Sequence, residues 1–139
     1  MAGVQVLHFN ELPDIDRGAG ITTKKLAGPW NGAQGFTTGV STQPPGTQIR
    51  FHSHNVDEAV VVLQGEALFE AEGESHRLKP FDTTFVPAGV SHRFANLGSG
   101  VMRILWVYAG NHVTRTITET GVTNEHLSAG DLMTESQRA

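Results

Sequence analysis

Apolar and polar residues alternate along much of this chain in short stretches, separated by glycine, proline and asparagine. A period of two marks a strand with one buried face. The alternation is loose at residues 4–9, which read as an edge strand, and recurs at 21–26. Residues 36–41 and 48–54 are further strands, flanking the turn Gln43-Pro44-Pro45-Gly46. Residues 59–63 form a continuous apolar run, a buried strand that Gly65 breaks; the strand pattern resumes at 66–71. Gly73-Glu74, with glycine first, suits a two-residue type II′ hairpin turn. Residues 75–78, 83–86, 91–96 and 102–108 complete the series, and 113–120 alternates again as a final strand, packed on a partner subunit. Residues 10–20 and 27–35 read as loops from their glycine, proline and asparagine, and 131–139 as a frayed tail. Strand-length pieces recurring about every eight to twelve residues predict an all-β sandwich or barrel.

Composition sharpens this picture. A length of 139 residues suits one domain with a substantial core. Sixteen glycines, with threonine and valine throughout, favour many short strands over a helical bundle. The net charge is −4 and lysine and arginine are scattered, so the footprint of a nucleic-acid binder is missing. No apolar run approaches the roughly 20 residues of a membrane span. The N-terminal stretch has no charged and then apolar leader pattern, and the expected location is the cytoplasm. Without cysteine there is no disulfide, thiolate nucleophile or zinc–sulfur site.

The chemistry concentrates at residues 46–65, GTQIRFHSHNVDEAVVVLQG. His52 and His54 share a strand face with Gln48 and Arg50, and Glu58 shares one with Val60 and Val62. Pairing of the two strands across residues 55–57 would bring Glu58 to the imidazoles. His92, with Phe94 and Asn96 on its face, is a fourth candidate. Burying such groups without partners costs about 2–7 kcal/mol each, so a strand that carries them inward needs a reason.

The joint spacing supplies one. Gly46, His52, His54, Glu58 and Gly65 are followed by Pro87, Gly89, His92 and Asn96. This pattern resembles the two motifs of the cupin superfamily, the first at 46–65 and the second at 81–96. The resemblance implies a single cupin domain over 1–139, of the small, single-domain type. Its fold would be one antiparallel β-barrel, a double-stranded β-helix or jelly roll. It also implies His52, His54, Glu58 and His92 as ligands of one divalent transition metal ion. Three imidazoles and a carboxylate suit Fe, Mn, Ni, Zn, Cu or Co without choosing among them. One position departs: the glycine that usually opens the second motif is Phe81, so Lys79-Pro80-Phe81-Asp82 is expected to form a type I turn or a shifted loop.

The expected function is a metal-dependent enzyme acting on a small oxygen-bearing substrate. The metal would serve as a Lewis acid or activate O2, giving dioxygenase, isomerase, dehydratase or lyase chemistry. The alternative is a non-catalytic metal- and ligand-binding cupin module. Arg50 is the candidate clamp for a substrate carboxylate, the other reading being an arginine at the barrel mouth in an ion pair. Phe94, Trp106 and Tyr108 are pocket or core residues, and Trp30 is a loop anchor or a cap on the mouth. His8, His76, His112 and His126 have no partner spacing and are expected at the surface, which leaves no second acid or base. Glu66, Glu70 and Glu72 form a solvated face, and Asn96 braces a turn. The alternating segments at 4–9 and 113–120 suggest a homodimer paired through sheet edges.

Overall fold

The computed structural model describes residues 3–132. Twelve strands follow one another: Ile15–Gly18 (β1), Ile21–Lys25 (β2), Thr37–Gln43 (β3), His52–His54 (β4), Glu58–Gln64 (β5), Ala67–Ala71 (β6), Glu74–Leu78 (β7), Thr83–Val86 (β8), His92–Asn96 (β9), Met102–Tyr108 (β10), Thr114–Ile117 (β11) and Thr123–Glu125 (β12). They form two six-stranded antiparallel sheets, in the orders β1-β2-β3-β10-β5-β8 and β12-β11-β4-β9-β6-β7. This is the expected all-β jelly roll, built as two facing sheets. Inward residues of both sheets, among them Ile21, Val60, Val62, Phe69, Phe94, Met102, Ile104 and Trp106, pack into one core.

Several elements differ from the sequence pattern. Residues 4–8 form no strand, and Val4 and Val6 face solvent. Their alternation has no neighbouring strand to pair with, and alternation alone does not make a ladder. The loop expected at 10–20 contains β1, which pairs with β2 from Ile15↔Thr23 onward. The segment at 113–120 contains β11, which forms a hairpin with the later β12 and lies between β4 and β12 within the same chain. Residues 4–8 and β11 are therefore not sheet edges; the edge strands are β1, β8, β12 and β7. The β6–β7 hairpin closes on Ala71↔Glu74, so its loop is Glu72-Gly73, with φ of 54° and 79°. Two positive φ values make it type I′, not II′. Asp131, expected to fray, is buried and ion-paired to Arg17 and Arg115; residues 133–139 lie outside the described residues.

Phe81 keeps the backbone of the glycine it replaces. Its φ is 75°, Asp82 N–H donates to Lys79 O at 2.9 Å, and Lys79 N–H donates to Asp82 Oδ2 at 2.9 Å. A second tie, from Phe81 N–H to Val62 O, holds the turn against β5. These bonds fix an unfavourable φ that the ring, 79% exposed, does nothing to repay by packing.

Candidate metal centre

β4 and β9 are neighbours in one sheet, with His52 opposite His92. His54 follows His52 on the same inward face. Glu58 opens β5, which belongs to the other sheet, where it pairs with β10 and β8. β4 and β5 are thus not paired across residues 55–57 as the sequence suggested. The short connection crosses between the sheets, and Glu58 meets the imidazoles through the interior. Asn55 pins this crossing, donating to His112 O at 3.0 Å and accepting from Thr114 N–H at 2.8 Å. Asp57 Oδ1 accepts from Ala88 N–H at 2.9 Å, which ties the crossing to the loop before His92.

The four side chains are all buried, and one donor atom from each lies within 4.8 Å of the others. Each imidazole is anchored at its back edge. Nδ1 of His52 faces Arg50 O at 2.7 Å, Nδ1 of His54 faces Thr114 O at 2.9 Å, and Nδ1 of His92 faces Val90 O at 2.9 Å. A carbonyl accepts, so in each ring Nδ1 carries the proton and Nε2 is left as a lone pair. Those Nε2 edges converge on Glu58: His54 Nε2 is 3.3 Å from Oε1, and His92 Nε2 is 3.1 Å from each of the two oxygens. His54 Nε2 and Glu58 Oε2 have no hydrogen-bond partner among the described residues.

Lone pairs facing a carboxylate need a proton or a cation between them. A proton would sit either on a ring, making an imidazolium because Nδ1–H is already committed, or on Glu58 as the neutral acid. Burial opposes the imidazolium: it is the largest influence on His52 and His54 and lowers both below the ordinary histidine value. Burial is the largest influence on the Glu58 carboxyl and would raise it, but an N–H or positive charge at the His54 and His92 edges outweighs that and lowers the group to about 2, a role that rings with bare Nε2 leave to a cation. Neutral imidazoles, an ionised carboxylate and orphaned donor atoms fit a divalent cation, with backbone carbonyls orienting each ring. The donor set fits the metal that the sequence implied.

A cavity of about 20 Å³ adjoins the quartet, room for about one water. Phe94, Trp106 and Tyr108 line it while also belonging to the core, so both readings of these aromatics hold. Trp106 stacks on Tyr108 at 5.1 Å, and its Nε1 donates to Ser41 Oγ at 3.0 Å. Burial, followed by the Glu58 charge, pushes the Tyr108 phenol far up, so it stays protonated.

His126 is also in the wall, contrary to its expected surface position. Its ring stands edge-on to Trp106 at 4.9 Å and Tyr108 at 5.0 Å, and lies 6.3 Å from the His54 ring. Its Nε2 is shielded from solvent and has no hydrogen-bond partner among the described residues. Burial, then the charges of Arg115 and Arg17, lowers it well below the ordinary value, so it is neutral at pH 7. Arg17 and Arg115 complete the wall.

Arg50 does not line this cavity. It faces an outer cleft of about 500 Å³ with Gln48, Phe51, Arg93 and Glu119, and its Nη2 is 3.5 Å from Glu119 Oε1. Ile49 forms the wall between cleft and cavity. Asn96 braces a turn as expected, donating to Gln43 O and Gly100 O at 2.9 Å each. Sequence reasoning missed His126, Arg17, Arg115 and Asp131. Only Arg115 left a trace, since it shares the inward face of its strand with Val113 and Ile117.

Comparison with known proteins agrees with this architecture. The cupin-domain family matches residues 39–108, half of the chain, and this segment holds all four metal-site residues. Among solved structures, the chain is similar to the polyketide cyclase RemF from Streptomyces resistomycificus, at 20% identity and a TM-score of 0.71, over 93% of this chain and 89% of that one. It is similar to a sugar phosphate isomerase from Silicibacter pomeroyi at 18% identity and a TM-score of 0.68, over 95% and 98% of the two chains. KdgF from a Halomonas species aligns at 23% identity and a TM-score of 0.68, over 77% of this chain and 94% of that one. At these identities the likeness is one of fold. No curated protein sequence matches the chain significantly.

Proposed function

The chain belongs to the cupin-domain family, and from that premise we propose that it is a metal-dependent enzyme that moves a proton on a small oxygen-bearing molecule. The observation that carries this reading is His126, a neutral imidazole with a free Nε2 in the same cavity wall as His52, Glu58 and His92. A divalent ion held by His52, His54, Glu58 and His92 would polarise a substrate oxygen as a Lewis acid. His126 Nε2 then takes a proton from the adjacent carbon, or returns it, which is isomerase or lyase chemistry. Trp106 and Tyr108 fix the His126 ring plane and exclude water. The protonated Tyr108 phenol adds a hydrogen-bond donor at the same wall. A clamp role for Arg50 would be exercised from the outer cleft, on a substrate approaching the wall at Ile49. Two of the similar folds bear the names of a cyclase and an isomerase.

The test is proton exchange by the metal-loaded chain in D2O, followed by NMR on a panel of small carbonyl compounds. Exchange is expected to vanish on chelation. It is expected to fall about 100-fold or more in His126→Gln, the range for losing a general acid or base, with metal binding retained. Exchange indifferent to chelation, or to His126→Gln, contradicts the proposal. The rival reading, a non-catalytic binding module, has the narrowness of the cavity in its favour; it predicts a metal-induced rise in melting temperature with no exchange on any compound.

A further inference from the structure

A second charged set lies in the same cavity wall, outside the segment that matches the family. Arg17 comes from β1 in one sheet and Arg115 from β11 in the other; they are 2% and 3% exposed. Asp131 lies between them. Arg17 is fully engaged with it: Nη2 donates to Asp131 Oδ2 at 2.9 Å, and Nε and Nη2 reach Asp131 O at 3.3 and 3.1 Å. Its Nη1 donates to Thr23 Oγ1 at 3.2 Å, and Thr23 is bonded to Ser41, which holds the Trp106 indole. Arg115 is engaged poorly. Its Nε is 3.1 Å from Asp131 Oδ1, but not in hydrogen-bonding geometry. Its Nε and Nη1 have no hydrogen-bond partner among the described residues, and neither does Asp131 Oδ1.

Two buried guanidinium groups against one carboxylate leave a formal surplus of one positive charge. A buried cation that is not fully paired keeps its desolvation penalty without the compensating attraction. Its retention beside a metal site points to a ligand. The planar fork of arginine matches a carboxylate in two parallel hydrogen bonds.

We propose that Arg115, held by Asp131 and backed by Arg17, is the subsite for the carboxylate of a small organic acid whose other oxygen faces the His52, His54, Glu58 and His92 centre. The subsite rests on the metal-centre reading for the second half of that substrate. A monoanionic carboxylate cancels the surplus charge and takes the unbonded Nη1. A cavity of about 20 Å³ does not hold it, so the cavity wall beside Arg115 opens as the acid binds. Within the turn that carries His126 and Asp131, Ser128 N–H donates to Glu125 O at 3.1 Å, Asp131 N–H to Ser128 O at 3.0 Å and Leu127 N–H to Asp131 Oδ2 at 2.8 Å, while His126 N–H to Val113 O at 2.9 Å and the Arg17 bonds to Asp131 tie it to the strands. Leu127 sits at φ 67°, a strained value for leucine.

The experiment is calorimetric titration of the metal-loaded full chain with malonate, and with uncharged malonamide as control. Wild type is expected to prefer malonate by about tenfold or more. Arg115→Gln is expected to lose about tenfold in malonate affinity while binding one metal ion per chain. Equal binding of malonate and malonamide overturns the proposal. So does malonate binding unchanged in Arg115→Gln, because an acid held by the metal alone is indifferent to that residue. Should Arg115→Gln not fold, Arg115→Lys keeps the charge without the fork and is expected to weaken malonate in the same direction; unchanged affinity there overturns the proposal equally. Metal bound without anion preference sinks the subsite and leaves the metal centre standing. Anion preference dependent on Arg115 in a chain that binds no metal does the reverse.

Discussion

At the scale of single residues, the centre is decided by what each imidazole has already spent. With Nδ1–H given to the carbonyls of Arg50, Thr114 and Val90, the rings present lone pairs and little else. Protons compete for those lone pairs, and the sign of the competition follows from burial. His52, His54 and His126 are all lowered, with burial the largest cause. A histidine that is harder to protonate when folded binds protons preferentially in the unfolded chain. Its contribution to stability is therefore present above about pH 6.5 and is lost as pH falls toward the depressed values. The metal-free chain is expected to unfold at lower urea concentration at about pH 5.5 than at about pH 7.5; an equal or higher midpoint at the acidic pH contradicts the burial argument. Glu58 adds the same trend in a lower window, between its ordinary value and about 2. The quartet was legible through the resemblance of residues 46–65 and 81–96 to the two cupin motifs, while alternation placed only His52 and His54 on a common face. Arg17 and Asp131 were not, since they meet across 114 positions with no local pattern to announce them. His126 was equally silent, because its burial depends on β10 passing beneath it.

At the scale of elements, strands position the centre and tight contacts between them hold its walls. Gly39 on β3 faces Trp106 on β10. A Cβ on Gly39 would lie 2.1 Å from Trp106 Cζ2, so alanine there must displace the indole that lines the cavity. Gly39→Ala is expected to cost about 1–3 kcal/mol, the usual penalty for overpacking, with a change in tryptophan fluorescence; denaturation by urea checks it, and unaltered stability contradicts this packing. Gly65, where the first motif ends, combines φ of 82° with a Cβ position 2.5 Å from Val101 O, so glycine is required there on two grounds. Phe81 shows the limit of such reasoning. The residue type argued for a different turn, yet three hydrogen bonds outweigh its preference. β1 and β12 escaped notice for a related reason: each is short and polar, and each exists because a neighbouring strand supplies its partners.

At the scale of the whole molecule, the candidate metal centre lies between the two sheets. Three donors come from β4 and β9 and the fourth from β5 across the core. An ion there would link the sheets and stabilise the folded state by an amount that grows with the logarithm of its concentration over Kd. The second linkage, Arg17 to Asp131 to Arg115, also spans both sheets, which places two charged ties on one cavity. No helix among the described residues is long and apolar enough to cross a membrane. The most direct measurement is an equilibrium metal titration of the metal-free chain, run beside His54→Ala. The account predicts saturation at one divalent ion per chain, and a loss of affinity in His54→Ala larger than the roughly 10–100-fold typical of losing only an outer-shell partner. No saturable binding in the wild-type chain, or undiminished affinity in His54→Ala, would contradict it.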